Sequence, residues 1–147
     1  MDVIITEDDF DIAAEHEKLK SADVGAIVTF TGTVREIAGG GLNAMSLEHY
    51  PGMTESEIND IIQQAKVRWS LDKVTVIHRV GRLLPTENIV YVGVASAHRG
   101  AAFESANFIM DFLKTKAPFW KLEDGPDGAH WVDAREEDTA ALDRWNA

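Results

Sequence analysis

Apolar residues along this chain come in three rhythms, and each predicts a different element. Val3–Ile5 reads as a short strand. Thr6, followed by Glu7, Asp8 and Asp9, has the form of a helix N-cap with an acidic first turn. That predicts a helix to about Lys20, with Phe10, Ala13, Ala14 and Leu19 facing inward. Gly25–Arg35 is rich in β-branched residues and predicts a long strand, with Gly32 marking a bulge or a close backbone approach. Glu36–Asn43, containing Gly39-Gly40-Gly41, predicts a flexible loop. Ala44–Tyr50 then returns as a strand, expected as the hairpin partner of the one before it. Pro51-Gly52 is a turn. Thr54 and Glu57 have capping-box spacing for a helix to about Trp69, whose apolar face carries Ile58, Ile61, Ile62 and Ala65.

In the second half, Lys73–Gly81 alternates through Val74, Val76, His78 and Val80, which predicts a half-buried strand. His78 is expected there as a core or interface histidine rather than a ligand. Leu83–Asn88 reads as a loop, and the near-continuous apolar run Ile89–Ala97 belongs in the middle of a sheet. From Gly100 to about Ala117 a helix is expected, with Phe103, Ala106, Met110 and Leu113 on one stripe, Ile109 and Phe112 widening it, and Pro118 ending it. Phe119–Leu122 and His130–Val132 form a last hairpin around the Asp124–Gly128 turn, and the acidic tail from Arg135 to Trp145 reads as helical. The order β-α-β-β-α-β-β-α-β-β-α predicts one α+β domain over residues 1–147, with a mixed or antiparallel sheet and packed helices.

Composition narrows the chemistry. A formal charge of −11 leaves no broad basic face for nucleic acid. The absence of cysteine excludes disulfides, thiolate metal sites and a cysteine nucleophile or persulfide. No apolar run approaches the roughly 20 residues of a membrane span, and MDVIITEDDF lacks the basic start and apolar core of a signal peptide; a cytoplasmic protein is expected. No phosphate-binding glycine motif, nucleophile elbow or zinc-ligand spacing occurs, so neither cofactor nor metal is expected.

One stretch runs against the overall charge. Val90–Lys121 holds Arg99, Lys114, Lys116 and Lys121 against only Glu104 and Asp111. His98 and Arg99 lie between a buried strand and a helix start, where free backbone N–H groups favour anions; a surface capping pair would occupy the same place. Lys114 and Lys116 lie about 200° apart on a helix and cannot share a pocket while it stays wound. Lysines at a helix C-terminus also commonly do no more than offset its dipole. Arg35, at a strand end beside the glycine loop, is a candidate ligand contact or a solvated edge arginine.

The segments FTGTVR (30–35), LEHYPGM (47–53), VTVIHRVG (74–81), VASAHR (94–99), FIMDFLKTKAPFWK (108–121) and WVDAR (131–135) resemble the large, catalytic subunits of molybdopterin synthases. The resemblance implies an α/β hammerhead fold and a homodimer within a heterotetramer. Its partner would be a small ubiquitin-like sulfur carrier, whose C-terminal Gly-Gly thiocarboxylate donates sulfur to cyclic pyranopterin monophosphate. Carried over by position, the resemblance implies Lys114 and Lys121 as catalytic residues. Arg35, His98, Arg99 and Arg135 are implied as contacts for the phosphate and pterin, the His-Arg pair reaching a neighbouring protomer's pocket. Thr33 stands where some members carry lysine, and Lys116 where some carry arginine. A non-catalytic adaptor for a ubiquitin-like tail would share the groove but need no phosphate clamp.

Overall fold

The computed structural model describes residues 2–132 and 136–145. Its elements are β1 (Val3–Thr6), α1 (Ile12–Glu17), β2 (Ala26–Thr33), β3 (Ala44–His49), α2 (Met53–Arg68), β4 (Lys73–Arg79), β5 (Gly81–Leu83), β6 (Asn88–Ser96), α3 (Arg99–Thr115), β7 (Phe119–Gly125), β8 (Gly128–Val132) and α4 (Glu136–Asp143). The fold is α+β, built on two four-stranded sheets. The first has the order β1-β4-β6-β2 and is mixed, with β1 parallel to β4 and the other pairs antiparallel. The second, β5-β3-β7-β8, is wholly antiparallel. Both sheet types expected from the sequence are present, one in each sheet.

The long apolar run becomes β6, which pairs on both edges as its composition requires. Beside it β4 is buried from Val74 to Arg79, not half-buried as its alternation suggests, because β1 and β6 flank it and both its faces are covered. At Gly81 (φ 87°) the chain turns and enters the second sheet as β5, an element missing from the sequence reading. The expected β2–β3 hairpin does not form either. β2 pairs with β6, and β3 pairs with β5 and β7. Residues 34–43 carry the chain from one sheet to the other, with the Val34 N–H donating to Glu87 O (2.8 Å) and the Asn43 N–H to Asp124 O (2.8 Å). The last hairpin is as expected, closed by a two-residue turn between Gly125 and Gly128.

Helix starts are where local sequence misled most. Thr6 ends β1, and its hydroxyl accepts from the Asp8 N–H (3.0 Å). The true N-cap of α1 is Asp11, which leaves Ala13 and Ala14 exposed. The acidic run instead ties down a strand: Asp9 accepts from the Asn88 amide at 3.0 Å. In α2 the cap is Gly52 (φ 84°), whose N–H donates to the Glu55 carboxylate at 3.2 Å. Thr54 lies inside the first turn and is fully buried. Its hydroxyl accepts from the Tyr50 N–H (2.9 Å) and donates to Pro118 O (3.0 Å), joining the start of α2 to the α3–β7 corner. Thr54→Val keeps the shape and removes both bonds. A loss of about 1–3 kcal/mol is expected in urea unfolding, and an unchanged midpoint would show that the two backbone groups find other partners.

The main core lies between the first sheet and α2 and α3, with Ile58, Ile62, Val74, Val92, Phe108 and Ile109 fully buried. On α3 the buried face runs through Ala102, Ser105, Ala106, Ile109 and Leu113. Phe103, expected on the inner stripe, is 57% exposed. Phe108 takes the core position, edge-on to Trp69 and Trp145. Asp111 accepts from the Arg144 guanidinium (2.8 Å) and from the Trp145 indole, which fixes the end of α4 to the last turns of α3. A smaller cluster of Val34, Leu42, Met45, Leu47 and Leu83 lies under the loop between the sheets. Among the described residues, no helix is long and apolar enough to cross a membrane.

Candidate active site

A cavity of about 840 Å³ opens between the two sheets at the C-terminal end of α3. The end of β2 and the loop after it supply one wall, from Phe30 to Ala38. A second wall comes from α3 through Met110, Leu113, Lys114 and Thr115, and a third from β7 through Phe119, Lys121 and Glu123.

Each cationic side chain arrives by a local device. Arg35 lies two residues past the end of β2, and the Val34 between them is anchored by accepting the Thr86 N–H at 2.8 Å. Lys114 lies one residue past the buried Leu113, in the last turn of α3. That turn is closed by the Thr115 hydroxyl donating to Asp111 O at 2.7 Å. Lys121 is half-buried on β7, opposite Leu47 of β3. Arg35, Lys114 and Lys121 therefore share one cavity with Glu36 and Glu123. Among the described lining residues the cations outnumber the carboxylates by one, on a chain of charge −11.

The glycine loop is tied down rather than loose. Glu36 accepts from the Leu42 N–H (2.7 Å) and the Ile37 N–H (3.0 Å), so one carboxylate closes the loop on itself. Gly41 (φ 90°) lies so close to Pro126 that an added Cβ would meet its ring at 2.6 Å.

Not all predicted residues gather. His98 is the N-cap of α3 and Arg99 its first residue; both are exposed and neither lines the cavity. At about 1.5 Å of rise per residue, α3 places them roughly 22–24 Å from Lys114 along the axis. Lys116, at the C-cap, also lies off the cavity wall, in keeping with its angle from Lys114. Arg135 lies outside the described residues.

The residue that sequence reasoning undervalued is His78. It is buried, as expected, yet it also lines the cavity. Its ring stacks on Phe119, with centroids 3.8 Å apart and planes 17° apart. Burial pushes its pKa down to about 4; the Arg79 carbonyl opposes that shift, and the nearby charges of Lys114 and His49 add to it. The imidazole is therefore neutral at physiological pH. The available signal was the Val74-x-Val76-x-His78 alternation, which put the histidine on a strand face but could not say that the face ends at a cavity.

Arg35, Lys114 and Lys121 can neutralise an anionic group, while Val90, Leu113, Phe119 and Ile37 offer apolar surface for a flat ring or an extended chain. The family model described as MoaE protein matches residues 5–116. The chain is 52% identical over 145 residues to the molybdopterin synthase catalytic subunit of Escherichia coli K12, covering 97% of each chain. It is 56% identical over 147 residues to that of Rhizobium meliloti, covering 97% of this chain and 94% of the relative. Among solved structures, a molybdopterin biosynthesis MoaE protein from Burkholderia ambifaria superposes with a TM-score of 0.85 at 50% identity, over 99% of this chain and 97% of that one. A molybdopterin synthase structure from Staphylococcus aureus superposes with a TM-score of 0.81 at 27% identity, over 90% of this chain and 96% of that one.

Proposed function

The chain belongs to the MoaE protein family, and from that premise we propose that it is the catalytic subunit of a molybdopterin synthase, a sulfurtransferase of molybdenum cofactor biosynthesis. One domain over residues 1–147 carries the activity, in the cytoplasm. A small ubiquitin-like carrier delivers sulfur as a C-terminal Gly-Gly thiocarboxylate, and cyclic pyranopterin monophosphate receives it twice to become the dithiolene. The carrier and this chain assemble as a heterotetramer around a dimer of this chain.

The observation that carries this reading is the gathering of Arg35, Lys114 and Lys121 in one cavity with apolar walls. A thiocarboxylate is already a good nucleophile, so the protein's contribution is positioning and charge stabilisation. Lys114 and Lys121 move protons on the pterin intermediate and hold the carrier's C-terminus. Arg35 and Arg135 clamp the phosphate. His98 and Arg99, too far along α3 to reach the same small substrate, serve the cavity of a neighbouring protomer. A cysteine-free chain suits this division of labour, since the sulfur arrives on the partner.

The test is reconstitution. The purified chain, a carrier bearing a Gly-Gly thiocarboxylate and cyclic pyranopterin monophosphate are mixed and followed by mass spectrometry. Loss of sulfur from the carrier and gain of two sulfurs by the pterin are expected. No transfer from a competent carrier would overturn the assignment.

A further inference from the structure

β4 brings His78 to the cavity wall with one nitrogen already committed. Nδ1 lies 2.8 Å from Arg79 O, and a carbonyl oxygen can only accept, so Nδ1 carries the proton. In the neutral imidazole the lone pair is then on Nε2. The stack on Phe119 fixes the ring plane and hence the direction of that lone pair. Among the described residues Nε2 has no hydrogen-bond partner. The buried side chain reaches the cavity wall, where His78 is one of the lining residues. A ring held in one plane, with its acceptor on the edge away from Arg79 O, thus lines a cavity that also holds Arg35, Lys114, Lys121, Glu36 and Glu123.

We propose that His78 is a substrate-binding residue whose Nε2 accepts a hydrogen bond from an N–H on the pterin ring. Val90, Leu113 and Phe119 make the surrounding wall apolar, which suits the faces of a flat heterocycle. At neutral pH the imidazole accepts and does not donate, so it favours an N–H edge and disfavours a carbonyl edge at that position. An unanswered acceptor in a closed site is costly, which gives such a contact discriminating power. The carrier's glycine amides are the competing N–H source, and the two are separable by kinetics. The inference rests on the cavity being the pterin site.

The experiment compares the native chain, His78→Phe and His78→Gln in steady-state sulfur transfer, varying pterin and carrier separately. Phenylalanine keeps the stack and loses the acceptor; glutamine restores an acceptor near the same place. His78→Phe is expected to raise KM for the pterin roughly tenfold to a hundredfold and to leave KM for the carrier within about twofold. His78→Gln is expected to recover most of the loss. An unchanged pterin KM, a shift in the carrier KM instead, or a glutamine variant no better than phenylalanine would overturn the proposal. Should His78→Phe not fold, the native enzyme against a pterin phosphate methylated at its ring N–H groups gives the same test: weaker binding supports the contact and equal binding refutes it. Native turnover with any of those negative results sinks the role of His78 alone, whereas no native turnover removes both readings.

Discussion

Lys114→Ala is expected to lower sulfur transfer by about a hundredfold to ten-thousandfold, the range for losing a positioned proton-transfer group, with little change in folding stability. Lys114 is exposed on the cavity wall, whereas the packing of its turn depends on Leu113 and on the Asp111 contacts to Arg144 and Trp145. Truncation at Lys114 therefore removes chemistry without opening the core. Single-turnover transfer from a thiocarboxylated carrier gives the rate, and urea unfolding of the same sample gives the control. Undiminished product formation would end the assignment of Lys114. Lys114→Arg sharpens the test, because arginine keeps the charge but holds its proton at all relevant pH. If Lys114 moves a proton, arginine should restore carrier binding and not turnover. Restored turnover would mean that charge alone is what the site needs.

What the sequence disclosed depended on how local the cause was. β6, α3 and the last hairpin rest on signals contained within themselves: an unbroken apolar run, a helical stripe ended by Pro118, and a Gly-Pro-Asp-Gly turn. The α3 stripe placed Lys114 at a helix end, and the β-branched run from Gly25 placed Arg35 at a strand end, both at the cavity. Errors arose where a distant partner outweighed a local preference. Thr6 and Thr54 look like N-caps, but one ends a strand and the other bonds the Pro118 carbonyl from inside a helix. The division into two sheets hangs on Gly81 and on the 34–43 crossing, and strand patterns alone do not say which strands pair. His78 belongs to the same class. Its burial was legible, while its place at a cavity depends on β4, β7 and α3 meeting, which no local pattern encodes. The separation of His98 and Arg99 from Lys114 was legible, since helix rise alone fixes it.

Lowering the pH from 7 to 4 is expected to cost the folded chain about 3 kcal/mol through His78. In the unfolded chain this histidine titrates near its ordinary 6.5, and in the folded chain near 4, because burial disfavours the imidazolium and the Lys114 and His49 charges add to that. Between those values the unfolded chain binds a proton that the folded chain refuses, so stability falls as pH falls. The contribution is complete above about pH 6.5, is lost on the way down to about pH 4, and levels off below, where the folded ring protonates too. At about 1.4 kcal/mol for each pH unit, the interval gives the stated loss. Asp9 enters only at the acid end of this window. Its carboxylate is held low by the Asn88 amide and the Phe10 N–H, so its contribution starts to be lost as the unfolded carboxylate protonates and continues to be lost below the ordinary carboxylate range. Urea unfolding followed by tryptophan fluorescence at pH 7, 5.5 and 4 measures the slope, and His78→Phe supplies the reference. The variant should lose about 3 kcal/mol less than the native chain across the interval; parallel losses would mean that His78 is not neutral in the fold. The lone pair on Nε2 and the acid sensitivity have one origin, since a site that refuses the imidazolium keeps an acceptor in the cavity. Transfer in the native enzyme should therefore hold its pterin KM from pH 7.5 down to about pH 5.5, a range in which an ordinary histidine would have switched from acceptor to donor.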